Sequence, residues 1–163
     1  MKRYHGWRQN DRCFVNVNDE PLNPRHDLVN HSPDGFEWGY GGSGPAQLAL
    51  AILADLRGGD FALKFYKYFK QSVIAFLPMA NWTLTDTKIE AWLRDRFLSI
   101  WTVYSNPKDF PGKWVARRFL LDWPENETLE ADSLEELRRQ LPQGLHHQPR
   151  LKNDDPVIVE TWF

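Results

Sequence analysis

A chain of 163 residues has room for one domain and a small appendage, and its net charge of −2 lacks the cationic excess that general binding to nucleic acid demands. Hydrophobic residues make up 42% and charged residues 26%, the ordinary globular balance. The aromatic load is heavy, with 8 Trp, 10 Phe and 5 Tyr, and such rings fill cores or, left exposed, make binding surfaces.

The N-terminal pattern is strand, turn, strand. Tyr4 to Trp7, the turn Gln9-Asn10-Asp11-Arg12 and the alternating Cys13 to Val17 predict a β-hairpin. Asn18-Asp19-Glu20-Pro21 is a turn cluster, the polar stretch to Pro33 reads as irregular, and Phe36 to Tyr40 reads as a further short strand. A first helix follows Gly41-Gly42-Ser43-Gly44, with Pro45 at its first position and an apolar run from Ala46 to Leu56 closed by Gly58-Gly59. Being apolar on nearly every side, it belongs in a core. A second helix spans about Phe61 to Leu77, with Phe61, Phe65, Phe69 and Val73 on one face, Lys64, Lys67, Lys70 and Gln71 on the other, and Pro78 as its stop. The stripe Ile89, Trp92, Leu93, Phe97, Ile100, Trp101 and Tyr104 predicts a third helix from about Asp86 to Tyr104, capped by Thr85 or Thr87.

Two prolines and a glycine between Ser105 and Gly112 mark a connector, so a boundary is placed there: a body over residues 1–105 and a module over 106–163. The module offers a strand from Lys113 to Leu121, a helix from Leu134 to Leu141 with the capping box Ser133 and Glu136, and a strand from Val157 to Phe163. So small a module has little core of its own. The expected fold is α+β: a small antiparallel sheet packed with three helices, plus a C-terminal strand-helix-strand extension. A single cysteine, Cys13, allows no intrachain disulfide, and the first residues lack a signal peptide's apolar run. No segment approaches a membrane span. Together these read as a cytoplasmic protein.

The most unusual stretch is His31 to Pro45, where glycines crowd the start of a helix. Bare backbone N–H groups and the positive end of the helix dipole there favour an anion. Trp38 and Tyr40 stand ready to stack on a ring beside it, which makes Trp38, Tyr40, Gly41, Gly42, Ser43 and Gly44 the candidate ligand-binding set. The loop lacks the Lys of a Walker P-loop, and the competing reading is a sharp entry into a tightly packed helix, with at least one of Gly41, Gly42 and Gly44 at positive φ or too close to a neighbour for a Cβ.

His31 to Leu53, HSPDGFEWGYGGSGPAQLALAIL, with the Tyr4 to Leu22 hairpin pattern and the helix ending near Leu93, resembles a family of small proteins of unknown function found in phages and bacterial genomes, over roughly residues 1–95. The tail, with GKWVARRFLLDW, ADSLEELRRQLP and DDPVIVETWF, is similar to C-terminal segments of small actinobacterial and phage proteins. The resemblance implies context, and carries no activity to any residue.

Other constellations are weaker. His26, Asp27, His31 and Asp34 match no compact metal motif, His146 and His147 read as a solvated pair, and no metal or cofactor is assigned. Gly42-Ser43-Gly44 is not a nucleophile elbow, Cys13 lies in a strand as an inert thiol, and Asp34 and Glu37 serve equally as turn groups or as an acid/base pair. Lys64, Lys67 and Lys70 read as a solvated helix face. Arg117 and Arg118 interrupt an apolar strand and imply a face open to water or a partner. The functional expectation is a non-enzymatic phage-type accessory protein that binds a phosphate-bearing small ligand, a nucleotide, at the glycine loop. The alternative is a protein-interaction or host-inhibitor module using aromatic and edge-strand surfaces to engage a host protein or itself.

Overall fold

The protein is described by a computed structural model covering residues 1–163, which falls into two compact units, Met1–Glu90 and Ala91–Phe163. The fold is α+β. In the first unit β1 (Arg3–Gln9) and β2 (Arg12–Val17) make the expected hairpin, with Asn10 and Asp11 at φ 50° and 57° in its turn. Two consecutive left-handed residues match the right-handed twist of the flanking strands, and Asn and Asp tolerate that region better than other side chains. β3 (Glu20–Pro21) and β4 (Trp82–Thr85), both short, complete an antiparallel sheet ordered β3-β2-β1-β4. Its register puts Tyr4, Val15 and Trp82 on the buried face and His5, Trp7, Phe14 and Thr83 on the other.

α1 (Ser43–Arg57) begins two residues before Pro45 and is buried from Gly44 through Ala54. Gly58 ends it, and α2 (Gly59–Ser72) packs back along it with Phe61, Phe65 and Phe69 inward and Lys64 and Lys67 in solvent. A 3₁₀ turn at Ile74–Phe76 carries the chain on toward Pro78. The two layers are tied by Tyr4, whose hydroxyl donates to Asp55 Oδ2 at 2.7 Å while Lys2 Nζ reaches the same oxygen at 3.0 Å. Burial, reinforced by the bond to Asp55, pushes the Tyr4 phenol far above its ordinary range, so it remains a donor. Phe36 to Tyr40 is not a strand; it runs as irregular chain beside the sheet.

α3 (Asp86–Arg96) starts where Thr85 Oγ1 accepts from Lys88 N at 3.3 Å, a side-chain cap, and the division between the units passes through it. It does not continue to Tyr104. Ser99–Ser105 is β5, the central strand of a second antiparallel sheet ordered β7-β6-β5-β9-β8, with β6 at Trp114–Leu120, β7 at Trp123–Ala131, β8 at His147–Pro149 and β9 at Ile158–Trp162. The run Ile100-Trp101-Thr102-Val103-Tyr104 fits a pleated surface as well as a helix, and pairing with β6 and β9 on both sides decides between them. α4 (Leu134–Gln140) is capped by Ser133 Oγ, which accepts from Glu136 N at 3.2 Å, and seals one face through Leu137 over Trp101, Val103 and Ala116. The C-terminal part is thus a five-stranded sheet with one helix, not a strand-helix-strand extension, and the connector at residues 106–112 lies inside this unit, joining β5 to β6.

No helix is long and apolar enough to cross a membrane.

Candidate functional site

The loop between β3 and α1 is organised by one polar side chain in an apolar helix. Gln47 is fully buried; its Oε1 accepts from His31 N at 2.7 Å and Ser32 N at 3.3 Å, while its Nε2 donates to the carbonyls of Pro24 and Val29. Two donors on one side and two acceptors on the other fix the amide orientation and use its full bonding capacity. This bond set holds residues 24–32 against α1. His31 packs its ring 5.2 Å from Tyr66, and burial, then the Lys70 and Lys67 charges, hold its pKa below the ordinary value.

Beyond Ser32 the chain reaches the residues singled out by sequence, and the structure separates them. Trp38 is 0% exposed: its Nε1 donates to Pro78 O at 2.9 Å, Trp82 meets its ring edge-on at 5.6 Å, and the Arg8 guanidinium lies 4.7 Å over it. No face is left on which a ligand could stack, so that expectation is corrected: Trp38 is a core residue. Tyr40, by contrast, is 45% exposed, and Gly41 and Ser43 are exposed beside it. Gly42 is the helix N-cap, in extended backbone with φ −168°, and none of Gly41, Gly42 and Gly44 has positive φ. Gly44 is buried where a Cβ would come within 2.5 Å of Glu37 Cβ and 3.2 Å of Glu37 N, so the close-approach reading holds at this position. Positive φ falls instead on Gly35, at +113°, and on Gly39, at +85°, with the Met79 thioether lying where a side chain of Gly39 would begin.

Gly39 ties together two segments that carry a rim of exposed apolar side chains, of which the sequence reading had named only Tyr40. Its N–H donates to Ile74 O at 3.0 Å, so the turn after α2 is clamped to the loop before α1. On these two segments stand Tyr40, Phe76, which is 79% exposed, and Met79, 57% exposed. The only hint in the sequence was an apolar run, Ile74 to Met79, continuing past the end of an amphipathic helix around Pro78.

A cleft of about 540 Å³ opens on the other side of Glu37, between Asp11–Phe14 of the hairpin and the loop at Ser32 and Asp34–Glu37. Arg8 donates to Glu37 Oε2 at 2.9 Å and to Trp38 O at 3.2 Å, so Glu37 is held by a cation and is not set up as one half of an acid/base pair with Asp34. Burial, then hydrogen bonding to Glu37, pushes the Cys13 thiol up to about 11, and it stays a thiol at neutral pH. His26 faces Ser32 O at 3.2 Å, and no group of three or more His, Cys, Asp or Glu is gathered to hold a metal ion.

A model for a family of unknown function, DUF6166, matches residues 4–95, more than half of the chain. The chain belongs to DUF6166. No curated protein and no solved structure matches it. The DUF6166 segment contains the hairpin, the Gln47-held loop, the rim and the cleft, and it takes in all but the last residue of α3.

Outside the DUF6166 segment, the second unit buries one carboxylate. Glu160 on β9 accepts from Arg138 Nε and Trp162 Nε1, both at 2.9 Å, from the second Arg138 nitrogen, and lies 3.1 Å from His147 Nε2. Burial alone raises its pKa, but the bonds from Arg138 and Trp162, the Arg138 charge and His147 outweigh that and hold it below the ordinary value. Arg117 and Arg118 are partly exposed and form surface ion pairs with Asp109 and Glu127.

Proposed function

We propose that the chain is a non-enzymatic protein-interaction module whose docking surface is the apolar rim of Tyr40, Phe76 and Met79. The observation that supports this reading is their exposure, 45%, 79% and 57%, on two segments clamped to each other through Gly39 and Trp38. Large apolar side chains held out in solvent are characteristic of interaction surfaces, and a surface already fixed in place loses little conformational freedom when a partner lands on it. Methionine adds a flexible, polarisable contact that adapts to the facing surface. A side chain as exposed as Phe76 protrudes, whereas small-molecule sites are concave. The nucleotide reading loses one of its two stacking rings, since Trp38 is sealed and only Tyr40 remains exposed.

The test is a double variant, Phe76→Ser with Met79→Ser. Exposed positions of this kind change stability by only about 0.5 kcal/mol, so the melting temperature is expected to hold. Self-association in sedimentation, or co-purification of a bound protein, is expected to disappear, while a thermal-shift screen of mono-, di- and cyclic nucleotides stays flat. A variant that associates like the parent, or a nucleotide that raises the melting temperature, rejects the rim as the docking surface.

A further inference from the structure

The hairpin has an open edge, and the strand register shows which backbone groups lie along it. Asp86 N donates to Lys2 O at 3.0 Å and Asn18 N to Arg3 O at 3.0 Å, so the even residues of β1 bond toward β4 and the odd ones toward β2. Trp7 therefore exchanges hydrogen bonds with Phe14, while Cys13, opposite Arg8, turns its N–H and C=O away from β1. Val15, two residues on and facing the same way, confirms the phase: its carbonyl accepts from Leu22 N at 2.9 Å. β3 covers only Asn16 and Val17, so the edge is unclosed at Cys13. This is one wall of the 540 Å³ cleft; Ser32 and Asp34–Glu37 form the other, and Glu37 reaches across to accept a hydrogen bond from the Cys13 thiol.

We propose that this cleft takes an extended segment of a partner protein, bearing lysine or arginine alternating with apolar residues, which pairs with the Cys13 edge as an added strand beyond the end of β3. The volume lies within the range of ligand clefts, about 300–1,000 Å³, and an unpaired edge supplies main-chain donors and acceptors that a peptide satisfies in register. Charge selects the side chains. Asp11, Asp34 and Glu37 line the cleft against Arg12 alone, and Arg8 behind Glu37 neutralises one of the three. Asp34 is exposed at the mouth. Side chains alternate in direction along an added strand, so those on the Cys13 side meet the acidic loop, and those on the other side lie beside Phe14, which is 39% exposed and stacked on Trp7 at 5.4 Å. A cation every second residue, with an apolar residue between, matches both. This site stands on the open edge and not on the Tyr40–Phe76–Met79 rim, so either can fail without the other.

The experiment uses the full chain and a fluorescent peptide of about seven residues alternating lysine with valine, long enough to overrun the edge at about 3.3 Å per residue. Anisotropy is expected to show saturable binding that Asp34→Lys weakens by about tenfold and that Cys13→Pro abolishes, because proline removes the outward N–H at an edge position without touching a hairpin hydrogen bond. In the unsubstituted protein, amide hydrogen exchange at Cys13 is expected to slow when peptide is added, a readout that holds even should the proline variant misfold. A glutamate-for-lysine version of the peptide is expected not to bind. Absence of binding, equal binding of the acidic peptide, or binding with no slowing of the Cys13 amide each overturns the proposal; the last identifies a purely electrostatic contact.

Discussion

Gln47 sets the positions of more backbone than any other polar side chain in the first unit. It faces four backbone groups of residues 24–32 from inside a helix otherwise apolar over its buried length, and each of those groups is costly to leave unpaired. Gln47→Leu keeps the volume and deletes all four bonds; a loss of more than about 3 kcal/mol is expected in urea unfolding, since each orphaned buried group costs about 1–3 kcal/mol. Gln47→Glu is expected to cost as much at neutral pH, because a carboxylate cannot donate to the carbonyls of Pro24 and Val29. A Gln47→Leu protein as stable as the parent refutes the clamp. The residue was visible in the sequence as one of two polar members, with Asp55, of the apolar run from Ala46 to Leu56, but its partners lie 15 to 23 positions away and could not be read there.

At the scale of elements, β9 carries a buried carboxylate that ties it to α4 and β8 through Arg138 and His147. Because the folded-state pKa of Glu160 lies below its ordinary value of 4.5, its stabilisation is complete above about pH 4.5 and is lost as the pH falls from there through the lowered folded-state value. The expected result is a second unit whose urea midpoint is steady at neutral pH and falls below pH 4.5. Glu160→Gln is expected to cost about 2–3 kcal/mol at pH 7, less than the 3–5 kcal/mol of a fully buried pair because Arg138 reaches solvent, and to flatten the acid-side fall. An unchanged pH profile in that variant removes Glu160 as its cause. The same scale shows why α3 was read too long: Ile100, Trp101 and Tyr104 continue a helical stripe, and only the hydrogen-bonding partners on both edges of β5 give the extended form its advantage.

At the scale of the whole molecule, a fragment tests where the sheet of the second unit is complete. A chain of residues 106–163 keeps β6 to β9 but lacks β5, the strand that pairs with both β6 and β9, so its remaining strands form two disconnected pairs. It is expected to look unfolded by circular dichroism, whereas residues 91–163, which include β5 and the cluster around Trp101 and Val103, are expected to melt cooperatively. A cooperative transition in the shorter fragment, or none in the longer one, contradicts this division.

The sequence by itself determined the hairpin and its turn, the apolar helix α1, the existence of α2 and α3 though not where they end, the Ser133 cap and the α+β class, because periodicity, turn chemistry and capping act over a few residues. It also marked the stretch from His31 to Gly44 as unusual. Tertiary structure alone decided that Trp38 is sealed while Tyr40, Phe76 and Met79 stand out, and that β5 is a strand. It also showed that β4, β7 and β8 exist and that the edge at Cys13 is open. The physical reason is shared: burial and strand pairing depend on what arrives from elsewhere in the chain, as Pro78 arrives at Trp38 from 40 residues away, and no local pattern records that.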